Sequence, residues 1–511
     1  MKKLLFVCLL VISLALMNLA QEQQIKSMTL AQVIEQALKN NLDLQIEMSN
    51  PEIAQALLDK SGAIFIPTLG VDLSYSKASS PADSVLIGRD VELSNQGILN
   101  LALAQKIALG GNVQLSLNNL SKTSNSLGAT FSPFSSSSIG FSLSQPLLKN
   151  FGLTATKRNI YIARNNKNIS IFALKQQVID LIYQTEEAYW NLVYSHQNMA
   201  VKEKSLQLAK DLLKQNEIQV RVGVSAPMDI LTAQAEVAAR ESETLQARSQ
   251  IQTYEENLRR ILNMSQMPEA IIPEDQPLFS PVQADLNGFL QTALEKRPDI
   301  EQVRLELKSK NIDVRYYRNQ LLPDMELVAS YRTSGAGGTP QSANFEEFNM
   351  GRIGGGLDEA LREALKNLNR NYYVALQLSL PLNNRSARAD LLQARLNLEQ
   401  SLLLLKKTES TIYSEVRQII MDLETNAKIV EANRISRELA EQKLVAEQKK
   451  LAVGLSTNYL VLQYQRDFSN AQISELKSLI DYSLALSRVN KVLGTTLEKH
   501  QIAFSEMLPK N

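Results

Sequence analysis

Two periods of hydrophobic residues divide this chain. From about Thr156 to Val222 there is neither glycine nor proline, and Val178, Thr185, Leu192, Met199, Leu206, Leu213 and Val220 recur every seven residues, the spacing of a helix that packs along a seam. Ser386 to Val453 behaves alike, with LLQARLNLEQSLLLLKK supplying strong helix formers. At about 1.5 Å per residue such a tract spans roughly 100 Å, more than most globular domains use. The pattern predicts long helices over 156–222, 226–263, 386–453 and 457–494, broken in pairs by RVGVSAPMDILTAQ (221–234) and AVGLSTNYLVLQYQ (452–465).

Elsewhere the period falls to two. In TLGVDLSYS, Leu69, Val71, Leu73 and Tyr75 alternate with polar or small residues, and IGFSLSQPL, MELVASYR and YVALQLSLPL do the same. Strands with one apolar and one polar face are expected near 68–78, 137–147, 324–335 and 372–381. Within 97–120, ILNLALAQKIALGGNVQLSLNNL reads as an extra hairpin turning at Gly110-Gly111. The Ser-, Asn- and Gly-rich segments SKTSNSLGATFSPFSSSS and TSGAGGTPQSANFEEFNMGRIGGG read as long loops, the second running into a short amphipathic helix, LDEALREALKNL.

The same order of elements occurs twice. A shift of 256 lays TLAQVIEQALKNNLDL over DLNGFLQTALEKRPDI, with Ala37 on Ala293, Pro67 on Pro323 and Tyr75 on Tyr331. A shift of 231 lays VGVS on VGLS, Leu192 on Leu423 and Leu262 on Leu493. An internal duplication follows: a leader at 1–20, a first repeat at 21–264, a linker at 265–284, a second repeat at 285–497 and a C-terminal tail at 498–511.

Composition narrows the setting. MKKLLFVCLLVISLALMNLA reads as a secretory signal peptide cut after Ala20, which removes Cys8 and leaves no thiol for disulfide, metal or nucleophilic chemistry. No later segment offers the roughly 20 uncharged apolar residues of a spanning helix. With 54 basic against 53 acidic residues and no basic cluster, nucleic acid is not an expected partner. His196 and His500 are expected at the surface, the carboxylate pairs Glu186-Glu187 and Glu241/Glu243 on solvated helix faces, and Tyr189 and Trp190 in helix packing. No catalytic, cofactor-binding or metal-ligating residue is assigned, and no enzyme activity is expected.

Exported strands with two unlike faces suit an outer-membrane barrel, although a sheet packed on a soluble core shows the same alternation. Four strands per chain, or six with the hairpin, fall short of the eight or so of the smallest barrels. An open edge in lipid leaves backbone groups unpaired at several kcal/mol each, so copies must share one barrel. Small and polar positions such as Ala173, Ala188, Ser195 and Asn216 allow the long helices to pack closely beneath it.

The duplicated opening, Pro67 and Pro323 before the first strands, FSLSQPLLKNFG and LQLSLPL, AYWNLV and the paired VGVSAPMDIL and VGLSTNYLVL resemble, in this order, the TolC family of outer-membrane efflux channels. The resemblance implies a mainly α fold with β: a trimeric outer-membrane β-barrel continued by a long periplasmic α-helical barrel. The family's barrel has twelve strands, and the 98–120 hairpin would either enlarge it to eighteen or sit outside it. Implied with it are a passive exit duct of a tripartite efflux or type I secretion system, surrounding outer-membrane lipid, a periplasmic adaptor (membrane fusion protein) and an inner-membrane transporter. The linker and tail correspond to a belt around the tunnel. The turns Val222, Gly223, Val224, Ser225 and Val453, Gly454, Leu455, Ser456 correspond to the periplasmic tip where the adaptor docks. Asp229 resembles an acidic position that latches the closed tip; Leu460 and Gln463 stand where the prototype carries a ring of aspartates, so that ring is not carried over.

Locally, Gly223 and Gly454 read as helix C-caps, Ser225 and Ser456 as N-caps of the returning helices, and Pro227 and Asp229 as first-turn residues. The competing reading from another class is a structural periplasmic coiled-coil or adaptor protein with a small soluble β-domain.

Overall fold

The computed structural model describes residues 25–82, 87–88, 90–224, 226–264, 270–283, 285–340 and 354–506. The expected signal peptide, Ser225, part of the linker and the end of the tail lie outside these residues. In chain order the elements are β1 (Ile25–Met28), α1 (Leu30–Asn40), α2 (Leu42–Gly62), β2 (Thr68–Pro81), β3 (Val91–Lys106), β4 (Asn112–Ser124), β5 (Phe131–Pro146), α3 (Arg158–Arg221), α4 (Pro227–Ile261), β6 (Ala270–Pro273), α5 (Leu286–Lys296), α6 (Pro298–Gln320), β7 (Asp324–Pro340), α7 (Leu357–Leu365), β8 (Asn369–Ser379), α8 (Arg385–Ala452) and α9 (Asn458–Leu493). They form two compact units, one of Met1–Glu52, Ser170–Gln302 and Leu405–Asn511, the other of Ile53–Ile169 and Val303–Leu404.

The second unit holds one antiparallel sheet in the order β2-β3-β4-β5-β7-β8. The extra hairpin is therefore part of the same sheet, turning where Ile107 N donates to Gly111 O at 2.8 Å. Register extends the alternation across all six strands. Leu69, Leu103, Leu115, Phe141, Tyr331 and Tyr372 form one row, with Val71, Leu101, Leu117 and Ile139 beside it. On the opposite face the rows are Gly70, Ala102, Ser116, Gly140, Arg332, Asn371 and Asp72, Asn100, Asn118, Ser138, Ser334, Asn369. Polar cross-strand bonds line that face, including Asn100 Nδ2 donating to Asp72 Oδ1 at 3.3 Å. The apolar face is open, with Leu69 67% and Leu73 79% exposed on β2 and Val374 74% exposed on β8. These two edge strands have no outer neighbour among the described residues.

The strands outrun the periodic segments. Residues 135–136 and 336–340, read above only as loop, are strand. The reason is α7, which packs on β5 and β7 and tolerates only small residues beneath it. A Cβ at Gly335 would strike the Ala360 carbonyl oxygen, and one at Gly337 that of Gly356. Ser137, Ala360 and Ala364 are buried at this contact, and Thr333 Oγ1 donates to Ala364 O at 2.8 Å.

The other unit is helical. Val33 and Ile34 of α1, Val178, Ile182, Tyr189 and Leu192 of α3, Leu258 of α4 and Ile480 of α9 form one core. Ala293 and Ile300 pack with Ile412, Val416, Ile419 and Leu423 of α8 and Tyr482 and Val489 of α9 in another. Along α3 the expected seam holds from Val178 to Met199 and then shifts: Ser205, Ala209, Leu212 and Asn216 are buried while Leu206 and Leu213 are only partly covered. A straight helix of 3.6 residues per turn drifts about 20° per heptad, so a seven-residue stripe leaves the buried side after a few turns.

Two further expectations change in this unit. The linker contributes β6, which pairs in parallel with β1, Ile25 beside Ala270 and Met28 beside Pro273; four residues ending at a proline are too few for periodicity to reveal. Glu186 is not solvated but 1% exposed, accepting from Lys499 Nζ at 2.9 Å and facing His500 Nε2 at 3.0 Å. Burial opposes its charge, yet His500 and Lys499 outweigh burial and hold its carboxyl below the usual glutamate range. His500 is accordingly a packed residue of the tail, and His196 is half-buried, its pKa lowered by burial. Tyr189 packs as expected and its hydroxyl donates to Asp275 Oδ2 at 2.7 Å; burial and that carboxylate push its pKa up.

Candidate functional site at the two helix turns

Both turns are built alike. After α3, Val224 N donates to Gln219 O at 2.8 Å and Gly223 N to Val220 O at 3.0 Å; after α8, Leu455 N donates to Lys450 O at 2.9 Å and Gly454 N to Leu451 O at 3.0 Å. This is the paired 6→1 and 5→2 bonding that closes a helix on a left-handed residue. Gly223 and Gly454 supply it with φ of 79° and 76°, values that a Cβ disfavours.

The returning helices are capped differently from expectation. Ala226 is the N-cap of α4 and makes no side-chain bond, while Pro227 begins the helix. At α9 the cap is Thr457, whose side chain accepts from Leu460 N at 3.4 Å. Proline at the first helical position has φ pre-set for a helix and lacks one of the N–H groups a helix start leaves unpaired, and Asp229 N donates to the Ala226 carbonyl at 3.0 Å, so α4 starts without a hydroxyl cap. Ser456 turns the other way, its Oγ donating to Glu447 Oε1 at 2.5 Å; this bond and Lys450 at 3.1 Å hold the Glu447 carboxyl below its ordinary range.

The tips present apolar side chains to solvent. Val222 is 66%, Val224 76%, Val453 69% and Leu455 77% exposed, and Met228 and Tyr459 are exposed beside them. Several exposed apolar side chains at each turn are a feature that contact surfaces share. Just behind the turns Leu212, Leu444, Val461 and Leu462 form a small core.

Asp229 stands in the first turn of α4, but it is its backbone that is engaged: Asn216 Nδ2 donates to Asp229 O at 3.3 Å. Among the described residues no cation stands within ion-pair distance of its carboxylate. The charged link lies about two to four turns further up. Glu236, its side chain 10% exposed, is bridged by Arg240 at 2.7 Å within α4 and by Arg466 of α9 at 2.6 Å. Glu243 continues the chain to Arg240 at 3.3 Å and to Lys202 of α3 at 2.8 Å. Burial works against the Glu243 charge, but Lys202 and Arg240 keep its pKa low. Glu243 is thus part of a network rather than a solvated face, whereas Glu241 forms an exposed pair with Lys210 at 2.9 Å. The i, i+4 spacing of Glu236 and Arg240 was visible in the sequence; their burial and the reach of Arg466 were not.

The family described as outer membrane efflux protein matches residues 33–264 and 289–495. The outer membrane protein TolC of Escherichia coli is 22% identical over 341 residues, which take in 65% of this chain and 64% of TolC. The solvent efflux pump outer membrane protein SrpC of Pseudomonas putida is 23% identical over 476 residues, 92% of this chain and 86% of SrpC. Among solved structures, the CmeC outer membrane channel of Campylobacter jejuni aligns with a TM-score of 0.65 at 17% identity, covering 94% of this chain and 90% of that one.

Proposed function

The chain belongs to the outer membrane efflux protein family, and from that premise we propose that it forms a passive trimeric duct through which a tripartite efflux or type I secretion system discharges small molecules or polypeptides. It is an outer-membrane protein that extends into the periplasm. The observation that carries the proposal is the six-stranded sheet with one apolar and one polar face and two unpaired edges. In lipid those edges must be paired. A unit of six alternating strands starts and ends in opposite directions, so β2 of one copy pairs antiparallel with β8 of the next. Three copies close an eighteen-stranded barrel, apolar rows toward lipid and the Gly70 and Asp72 rows toward water. Open rows of exposed leucine and valine suit lipid better than the soluble β-domain of the competing reading.

The family match in two segments supports an internal duplication, with each half contributing one pair of long helices and one turn. In this reading the exposed Val222, Val224, Val453 and Leu455 receive the periplasmic adaptor, with Gly223, Gly454 and Ser456 shaping the turns. An inner-membrane transporter supplies the energy, and the duct performs no chemistry. Opening the tip requires α4 and α9 to part, which breaks the Glu236–Arg466 bridge. Asp229, which meets no cation among the described residues, latches against a neighbouring copy; Asp229→Arg is expected to raise single-channel conductance, and unchanged conductance would count against the latch. The duct itself is tested by fractionation: heat-modifiable trimers in the outer membrane are expected, and a soluble periplasmic pool would contradict it.

A further inference from the structure

We propose that α7 and the start of β8 form a docking face for a phosphate-bearing lipid of the outer leaflet. The inference rests on the sheet spanning the membrane as described above. α7 lies on the apolar face of the sheet, since Thr333, which bonds Ala364, continues the row of Leu101, Leu117 and Ile139. It covers the end of β7 that is distant in sequence from α6, beyond the apolar rows. With those rows against lipid, α7 sits on the outside of the barrel at the level where hydrocarbon ends.

What surrounds it suits that level. Tyr331 and Tyr372 stand 5.0 Å apart, and the Tyr331 hydroxyl bonds Asn367 just after α7; amphipathic aromatic rings favour the boundary between hydrocarbon and headgroups. Leu365 and Leu368 are 67% and 70% exposed beside them. Arg362 and Lys366, one turn apart, have side chains 66% and 53% exposed. Arg370 pairs with Thr333 across β7 and β8, so it emerges on the same face and is exposed. Glu359 approaches Arg362 at 3.4 Å and Lys366 at 3.9 Å, exposed pairs too weak to hold these cations away from a phosphate. Two leucines directed at acyl chains, with three cations able to snorkel above them, make an arrangement that recognises an anionic headgroup on a lipid.

The test uses the purified full-length oligomer and native mass spectrometry with a diphosphorylated glycolipid, its dephosphorylated form and inorganic phosphate as competitor. The wild type is expected to retain the phosphorylated lipid at least about tenfold more tightly than the dephosphorylated one, and Arg362→Gln/Lys366→Gln/Arg370→Gln to lose that preference. Lys366→Gln/Arg370→Gln, which leaves Arg362 in α7 unchanged, gives a smaller loss. Equal retention of the two lipids, undiminished preference in both variants, or displacement by free phosphate would overturn the inference. Wild type missing from the outer-membrane fraction would overturn the membrane reading and this one together; an inserted wild type without phosphate preference overturns only this one.

Discussion

Gly223 and Gly454 hold positive φ with nothing within 4 Å of where a Cβ would stand, so any penalty for substitution is conformational. Gly454→Val is expected to destabilise its turn by roughly 1–2 kcal/mol, and Gly454→Asn by much less, because asparagine tolerates the left-handed region; hydrogen exchange of the flanking amides reads the difference. Buried ion pairs divide differently. Arg240→Leu leaves the Glu236 carboxylate with the half-exposed Arg466 alone and should lower stability by about 1–3 kcal/mol, whereas Arg466→Leu leaves the buried Arg240 pair in place and should cost under about 1 kcal/mol, a contrast measurable by chemical denaturation. Glu186 sets the pH behaviour of the tail. Its pKa is depressed in the folded state, so the clasp to Lys499 and His500 is fully present above the unfolded glutamate value of about 4.3 and is lost as pH falls through the folded value. Proteolysis of the tail should therefore accelerate only in acid, and Glu186→Gln should abolish that acid dependence.

At the scale of elements, the sheet assigns opposite roles to neighbours in one strand. Leu101 lies in an apolar row and Asn100 in a polar one. Leu101→Arg is expected to cost about 2–4 kcal/mol near the bilayer midplane and to deplete assembled protein from the outer membrane, while Asn100→Arg should assemble normally. Equal depletion by both would show that β3 does not cross lipid. The period-two runs made such strands legible because Leu69 to Tyr75 and Leu99 to Leu103 must keep one face dry. What stayed hidden was strand at residues 135–136 and 336–340, where small residues are chosen by the helix packed on them and no hydrophobic alternation remains. The glycines at the turns were legible because left-handed backbone has a residue signature; the cap at Ala226 was not, since alanine carries no side-chain acceptor that would mark a helix start. Glu186 looked solvated because nothing local announces Lys499 and His500, which reach it from more than 300 positions along the chain.

For the whole molecule, the account stands on copies completing one another's sheet. Cys8 is the one cysteine in the sequence, so in a Cys8→Ser background engineered cysteines report alone. Single cysteines stepped along the polar face of β2, at Thr68, Gly70 and Asp72, are combined in one chain with single cysteines along β8, at Asn371, Tyr373 and Ala375, and oxidised in the intact outer membrane. Disulfides form only where Cα atoms come within about 7 Å, so the paired edge reveals its own register. The account predicts, at one register, a covalent ladder of two rungs above the monomer that ends at the trimer. No covalent species above the monomer in any combination, or a ladder that continues past three chains, would contradict it.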